Sequence, residues 1–443
     1  LPAPAHRRRL TRPPVAALAP LLARLEREGI RLGLEATRDL LAALGDPQLR
    51  FPSVLVAGTN GKGSTAALLA AILQAAGLRT GLYTSPHLER PAERIRVDGL
   101  PLPDRRLARL LAEVVATSTA GGGRAPTYFE AMTAAAFLAF ARQRVDLAVL
   151  EVGMGGRLDA TNLARPELSL VTAIDLDHRE FLGETRAAIA REKAGIFRPG
   201  RPALALAGSA EATAALAAEA AAIGASFLDL GPWLAETRFL EEGWEGQQLA
   251  IVTPAGRWRL RLPLAGRHQA ANLLLAVHAA ERLRPLGWPA IGPAAIRQGV
   301  TAARWPGRLE SVLLPTGDRV LLDAAHNPDG ARRLAEFLAA RGARGTLLFG
   351  ALDDKDAAGM LAALAPHADR VLFTEPASPR ARPAASLPAL LPAPVPAQVV
   401  PDRGRALSAA LRPRAPLTVV CGSIFLLGDI RRRLRRRYGR PLP

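Results

Sequence analysis

The chain predicts an α/β protein: a mostly parallel sheet flanked by helices, followed by a second, smaller α/β domain. Three observations carry this. Short strands that are apolar on both faces alternate with helical stretches, as in a parallel sheet covered on both sides. At 443 residues the chain is too long for one typical core. Near residues 301–307 the strand pattern starts again. The expected domains are residues 1–300 and 301–443.

The elements follow in order. Val54 to Ala57 reads as a strand ending at Gly58, and residues 64–76 as a helix stopped by Gly77. Leu82 to Thr84 is a second strand, and 104–117 and 130–144 have helical composition. Val145 to Val152 is a near-continuous apolar run with Glu151 at its end, and Leu168 to Ile174 is another. Residues 226–264 are rich in Trp, Gly and alternating apolar residues, which predicts a small antiparallel excursion. A helix spans 269–283. The later strands are LESVLLP, DRVLLDAA, GTLLFGAL, RVLFTEP and LTVVCGS. Residues 376–400, with many Pro and Ala, read as a loop plus a short helix.

Composition narrows the partners. No uncharged apolar run reaches the roughly 18 residues of a membrane span, so no membrane partner is expected. The single cysteine, Cys421, excludes an intrachain disulfide and suits a cytoplasmic protein. It ends an apolar strand and reads as a packing residue. The net charge of +18 suits anionic ligands. The runs HRRRLTR and RRRLRRRYGR lack interleaved aromatics, and aromatics make up only 5% of the chain. Both are expected to be solvated tails rather than nucleic-acid contacts. A monomer is expected.

Lysine usage points to sites. Only Lys62, Lys193 and Lys355 occur, against 55 arginines. Arginine stays charged and planar, whereas lysine is a compact point charge whose amine can lose a proton and react. The three lysines therefore mark positions where arginine does not serve. Gly58-Thr59-Asn60-Gly61-Lys62-Gly63-Ser64-Thr65 lies between a strand and a helix. Small residues there let backbone N–H groups wrap phosphates, Lys62 offsets their charge, and a hydroxyl can face Mg²⁺. The loop departs from the standard pattern: Val56 replaces its first glycine, and Gly63 separates Lys62 from Ser64.

Glu151 ends a presumed parallel strand, where doubly wound sheets bind ligands, and is either a cation ligand or a solvated strand end. Asp175-Leu176-Asp177-His178 lies at the same presumed edge. Lys193, in REKAGIF, is either an ion-paired helix residue or a reactive amine able to take up CO2 as a carbamate. The second domain adds PGRLE with Arg308, Asp323 and His326 in LDAAHNPD, and DDKD around Lys355. These fit a clamp closing over a nucleotide.

Together the motifs VAGTNGKGST, SPHL, TYFE, LEVGMGGRLDATN, DLDH, REKAGIF, GRHQAAN, PGRLE, DAAHNP and CGS, with LGLE, ERIRV and DDKD, resemble folylpolyglutamate and dihydrofolate synthases of the Mur ligase superfamily. The likeness extends from about Gly33 to Ser423. It implies a Mur-ligase-like fold with an N-terminal nucleotide-binding domain and a Rossmann-like C-terminal glutamate ligase domain. It also implies a folate-pathway ligase. ATP phosphorylates the carboxylate of dihydropteroate or a reduced folate, and L-glutamate attacks the acyl phosphate. By the same resemblance, Lys62 and its loop, Gly58 to Thr65, hold the phosphates. Ser64, Ser85 and Glu151 support one Mg²⁺. Glu151, His178 and carbamylated Lys193 support a second. Asn272, Arg308, Asp323 and His326 position the nucleotide. Phe129 and Asp159 are candidate substrate contacts, with core packing the other reading of Phe129. Arg179-Glu180-Phe181 after His178 departs from the smaller polar residues expected there. The competing readings are a Mur-type ligase of peptidoglycan precursors and a basic nucleic-acid-binding ATPase.

Overall fold

The structure is a computed structural model and describes residues 18–438 apart from 30, 32, 121–123, 393 and 413–415. The arginine run HRRRLTR lies outside the described residues. The first domain is built on an eight-stranded sheet. In spatial order its strands are Leu100–Pro101, Ile95–Val97, Thr80–Tyr83, Leu147–Glu151, Ser53–Ala57, Pro166–Val171, Pro202–Ala205 and Ser226–Asp229. The two pairings at one edge, Leu100–Pro101 with Ile95–Val97 and Ile95–Val97 with Thr80–Tyr83, are antiparallel, and the remaining pairings are parallel.

Alternation along Ser53–Ala57 explains the two-sided burial. Val54 and Val56 face the helices Lys62–Ala75 and Gln269–Leu283, while Leu55 and Ala57 face Tyr128–Gln143. Burying such side chains gives about 1.5–3 kcal/mol each, so the central strand is fixed from both faces. This anchors the loop at its carboxyl end. Ser53–Ala57 lies between Leu147–Glu151 and Pro166–Val171, so three strand ends open onto one crevice, a usual place for ligands in such sheets.

The antiparallel excursion is a three-stranded sheet of Arg238–Glu242, Gln247–Thr253 and Gly256–Leu262. Alternate residues of its middle strand, including Leu249 and Ile251, are buried against the first domain. The excursion is shorter than expected, because Ser226–Asp229 pairs parallel with Pro202–Ala205 and completes the large sheet.

Helix Pro293–Ala302 packs on Lys62–Ala75, and the second domain's first strand begins at Glu310. Its six strands run in the order Glu310–Leu313, Arg319–Leu322, Leu417–Cys421, Gly345–Phe349, Ala368–Phe373 and Ala397–Val399. All pairings are parallel except the first hairpin. Cys421 is buried in the core, as its packing role requires.

Two expectations are corrected here. Residues 376–400 hold short 3-10 turns at Ala384–Ser386 and Pro388–Leu390 and the edge strand Ala397–Val399, not one helix. The closing arginine run is not a solvated tail. It is the last part of helix Ile424–Tyr438, whose Leu427, Ile430 and Leu434 are buried in the second domain and which carries a buried arginine, Arg431.

Candidate active site

The phosphate loop leaves its strand at Gly58 and enters helix Lys62–Ala75 through Gly61, whose φ is 93°. A Cβ at Gly61 would lie 2.3 Å from Asn272 Oδ1, so only glycine fits there. Asn272 is buried and accepts from Thr65 Oγ1 at 3.3 Å, so it braces the loop from behind. Lys62 Nζ folds back and donates to Gly58 O at 3.0 Å and Thr59 O at 2.9 Å. Burial lowers its pKa, and nearby Glu151 and Asp177 oppose that shift. The amine thus sits at the mouth of its own loop, within a short rotation of any anion bound there.

Glu151 ends its strand buried, and burial raises its carboxyl pKa against the pull of Lys62. Its Oε2 accepts the Ser85 N–H at 2.9 Å. Lys193 is buried on helix Arg186–Ala194 and donates to Gly58 O at 2.9 Å. Burial, reinforced by Lys62, lowers its pKa to about 7, so a large share of its amine is neutral near physiological pH. His178 opens a short helix from a left-handed backbone, with its Nε2 4.0 Å from Asp177 Oδ2. Burial lowers its pKa.

The second domain closes the cavity. Asp323 directly follows strand Arg319–Leu322, and its oxygens accept Leu309 N–H at 2.8 Å and Ala325 N–H at 2.9 Å. It thereby fixes the loop that presents Arg308. His326 Nδ1 lies 2.9 Å from Ala324 O, which assigns the proton to Nδ1 and leaves Nε2 as an acceptor. Burial lowers its pKa to about 4, so it is neutral. Asn60 Nδ2 donates to Asp329 Oδ2 at 2.8 Å across the domain boundary. Lys355, the third lysine, lies 3.6 Å from Asp177 and ties DDKD to the same edge.

Gly58 to Ser64, Ser85, Glu151, His178, Lys193, Asn272, Arg308, Asp323 and His326 therefore line one cavity. Thr65 is buried behind it. The two tentative substrate residues are placed differently. Asp159 is buried and accepts from Gly153 N, Met154 N, Thr161 N and Thr161 Oγ1. Its carboxylate is spent on its own loop. Phe129 packs on that loop, 2.6 Å from where a Cβ on Gly153 would lie, and near Tyr83. Neither is among the cavity's lining residues.

Asp177, His268, Gln269, Asn327, Asp329 and Arg333 also line the cavity and were not singled out as ligand contacts. Asp177 could have been found from its place beside His178. Burial raises its pKa, but His178, Lys355, His326 and Lys62 outweigh burial and hold the group low. Asn327 caps helix Pro328–Ala339, with Asp329 in its first turn.

Hydroxyl and carboxylate oxygens with one imidazole fit a hard cation that keeps waters and phosphate oxygens as its other ligands. Among the described residues no group of three or more His, Cys, Asp and Glu forms a cage. Any metal here therefore depends on a bound phosphate chain or on further ligands. No helix among the described residues is long and apolar enough to cross a membrane.

Known proteins agree with this picture. Residues 56–280 match the Mur ligase middle domain, and residues 307–424 match the Mur ligase glutamate ligase domain. The chain is 36% identical to the dihydrofolate synthase/folylpolyglutamate synthase of Bacillus subtilis, over 92% of this chain and 96% of that one. It is 38% identical to a probable bifunctional folylpolyglutamate synthase/dihydropteroate synthase of Halobacterium salinarum, over 94% of this chain but only 51% of that longer protein. The crystal structure of a bifunctional folylpolyglutamate synthase/dihydrofolate synthase from Yersinia pestis, complexed with AMPPNP and a Mn ion, superposes with a TM-score of 0.82 at 34% identity. That match covers 96% of this chain and 98% of that one. Sequence, fold and cavity thus converge, and the chain belongs to the folylpolyglutamate synthase/dihydrofolate synthase family of the Mur ligases, enzymes that form carbon–nitrogen bonds.

Proposed function

We propose that the chain adds L-glutamate to dihydropteroate, to folate glutamates, or to both, using ATP and an acyl-phosphate intermediate. The observation that carries this is a single cavity where Lys62, Glu151 and Lys193 of one domain face Arg308 and His326 of the other. In the reaction the acceptor carboxylate takes the γ-phosphoryl group, ADP leaves, and the amine of glutamate displaces phosphate to form the amide. Lys62 swings from its carbonyl partners to the phosphates, and the Gly61–Ser64 backbone supports them. Arg308 enters from the second domain and offsets charge on the transferring group. His326 is neutral, with a free Nε2 to accept a proton or hydrogen bond.

Mg²⁺ fits Ser64, Ser85, Glu151 and His178, and there it would neutralise phosphate charge. Lys193 carries a carbamate in the working enzyme. Its neutral amine attacks CO2, a C–N bond forms and one proton leaves, which gives a carboxylate-like group for a second metal position. An amine with a pKa of about 7 supports this, because the free base is the reactive form.

The test is incorporation of labelled L-glutamate with dihydropteroate and with a reduced folate. ADP release should require the acceptor. Turnover of Mg²⁺-ATP that no folate acceptor changes would overturn the reading.

A further inference from the structure

Helix Ile424–Tyr438 of the second domain lies directly against the loop from Ser85 to Arg94 of the first. A Cβ on Gly428 would fall 1.8 Å from Leu88 O, so the helix backbone touches the loop at a glycine. One turn on, Arg431 is buried between two buried carboxylates from different domains. Its Nη1 donates to Glu89 Oε1 at 2.6 Å. Its Nε donates to Glu310 Oε1 at 2.9 Å and Oε2 at 3.0 Å. Arg435 also pairs with Glu89.

Glu89 sits on a loop that reaches the active cavity, and Glu310 opens the strand that directly follows the Arg308 loop. On one side, Glu93 accepts the N–H groups of Leu88, Glu89 and Arg90, which stiffens the loop. The same loop begins at Ser85, whose N–H holds Glu151. On the other side, Glu310 accepts Gly307 N–H at 2.8 Å, next to Arg308, and Asp323 fixes Leu309. A planar guanidinium with several donors can hold both carboxylates at once, whereas an ammonium has no such fork.

We infer that Arg431 is a positioning residue for the ligase reaction: it sets the register between the Glu151 half and the Arg308 half of the cavity. A buried ion pair is weak evidence for stability, because desolvation offsets much of the attraction, and an apolar replacement of the whole group is often neutral. What the arrangement does supply is alignment. A loop of the first domain and the strand that follows the Arg308 loop are tied to one rigid group, which does not line the cavity around Lys62 but does line a neighbouring one with Ser85, Glu151 and Arg308. The inference rests on the ligase reading for its kinetic arm only.

The test uses two full-length variants. Arg431→Lys keeps the charge but loses the fork. Glu89→Gln/Arg431→Met/Glu310→Gln removes all three charges, so none is left buried and uncompensated. Both are compared with wild type for glutamate incorporation, KM for ATP, melting temperature and inter-domain distance by fluorescence energy transfer with a nonhydrolysable ATP analogue. The expected result is a kcat lower by on the order of 10²-fold, the cost of about 1 Å of misplacement. KM for ATP stays near wild type because the phosphate loop is untouched, melting stays near wild type, and the inter-domain distance distribution broadens. Wild-type kcat with an unchanged distance distribution in a folded variant overturns the inference. So does a loss of kcat that merely tracks melting temperature or ATP affinity, or unfolding of both variants, since Arg431 would then serve the fold alone. If wild type itself incorporates no glutamate, the ligase reading fails, and the distance measurement by itself decides the positioning claim.

Discussion

Glu151 and Asp323 occupy similar places in two domains: Glu151 is the last residue of its strand and Asp323 directly follows its own, each is buried, and burial raises the pKa of each. Their partners differ. Asp323 has one backbone N–H on each oxygen, from Leu309 and Ala325. Glu151 accepts the Ser85 N–H on Oε2 and has Lys62 as its main charged neighbour. The strand end alone therefore does not define a ligand site. One carboxylate is left facing an anion-binding loop and can serve a cation. The other clamps the backbone that aims Arg308.

The largest expected effect tests the Glu151 side. Glu151→Gln keeps the size and the Ser85 contact but removes the charge. Turnover should fall roughly 10²–10³-fold, as for loss of a transition-state charge contact, with melting little changed. Lys62→Arg should fall by a similar factor, because a planar guanidinium does not replace a point charge enclosed by glycine backbone. Near wild-type glutamate incorporation by either variant would erase the distinction between the two strand ends.

Lys193 sharpens the comparison, because it would add a second anionic group beside Glu151. Lys193→Ala should lose most activity while staying folded, and a short carboxylate added in trans should restore part of it. The pH dependence has a definite sign. The folded pKa, about 7, lies below lysine's ordinary value of 10.5, so the unfolded chain binds more protons between those values. Stability without CO2 should therefore rise with pH across that window, by the linkage between proton binding and folding. Activity with CO2 present should fall as pH drops below about 7, since protonation blocks the carbamate. Electron density for an unmodified ammonium at Lys193 in an ATP–Mg²⁺ complex would refute it.

Asp323→Asn comes next. An amide can accept one of the two N–H groups but turns a donor towards the other. The unsatisfied contact costs about 1–3 kcal/mol. The Arg308 loop should loosen, with turnover down roughly tenfold, less than for Glu151→Gln because no charge contact to the reacting atoms is lost directly. Equal losses at both strand ends, measured by kcat, would mean that Asp323 also touches the nucleotide.

The difference in legibility has a physical cause. The placement of Gly58 to Thr65 between a strand and a helix could be read because a Gly-rich loop is contiguous in sequence. The strand ends at Glu151 and Asp323 were readable from apolar runs. Asn60 with Asp329, 269 residues apart, was not, because only tertiary packing pairs them. Arg431 was hidden in a run of arginines, although Leu427, Ile430 and Leu434 around it have helical spacing and are buried. Charge density masks the arginine that, among the described residues of that run, is buried. Ser226–Asp229 falls within the stretch that the sequence predicts as the excursion, because a short, half-exposed edge strand has little apolar signal.

Asp159 gives the smallest expected effect on turnover and the clearest contrast with Glu151, eight residues before it. Its carboxylate accepts four hydrogen bonds within the Gly153–Thr161 turn, and burial raises its pKa while those bonds pull it back. Asp159→Asn leaves some of those donors without an acceptor. Stability should fall by about 1–3 kcal/mol, the usual range for unsatisfied buried groups. Gly153 to Gly155 of the loop line the cavity, but Asp159 itself does not, so kcat per folded molecule should stay near wild type with both dihydropteroate and folate acceptors. Denaturant titration and labelled-glutamate kinetics on the same preparation separate the two quantities. A folded variant with unchanged stability but a raised KM for the acceptor would return Asp159 to the substrate, and the turn would then be a binding loop rather than a support.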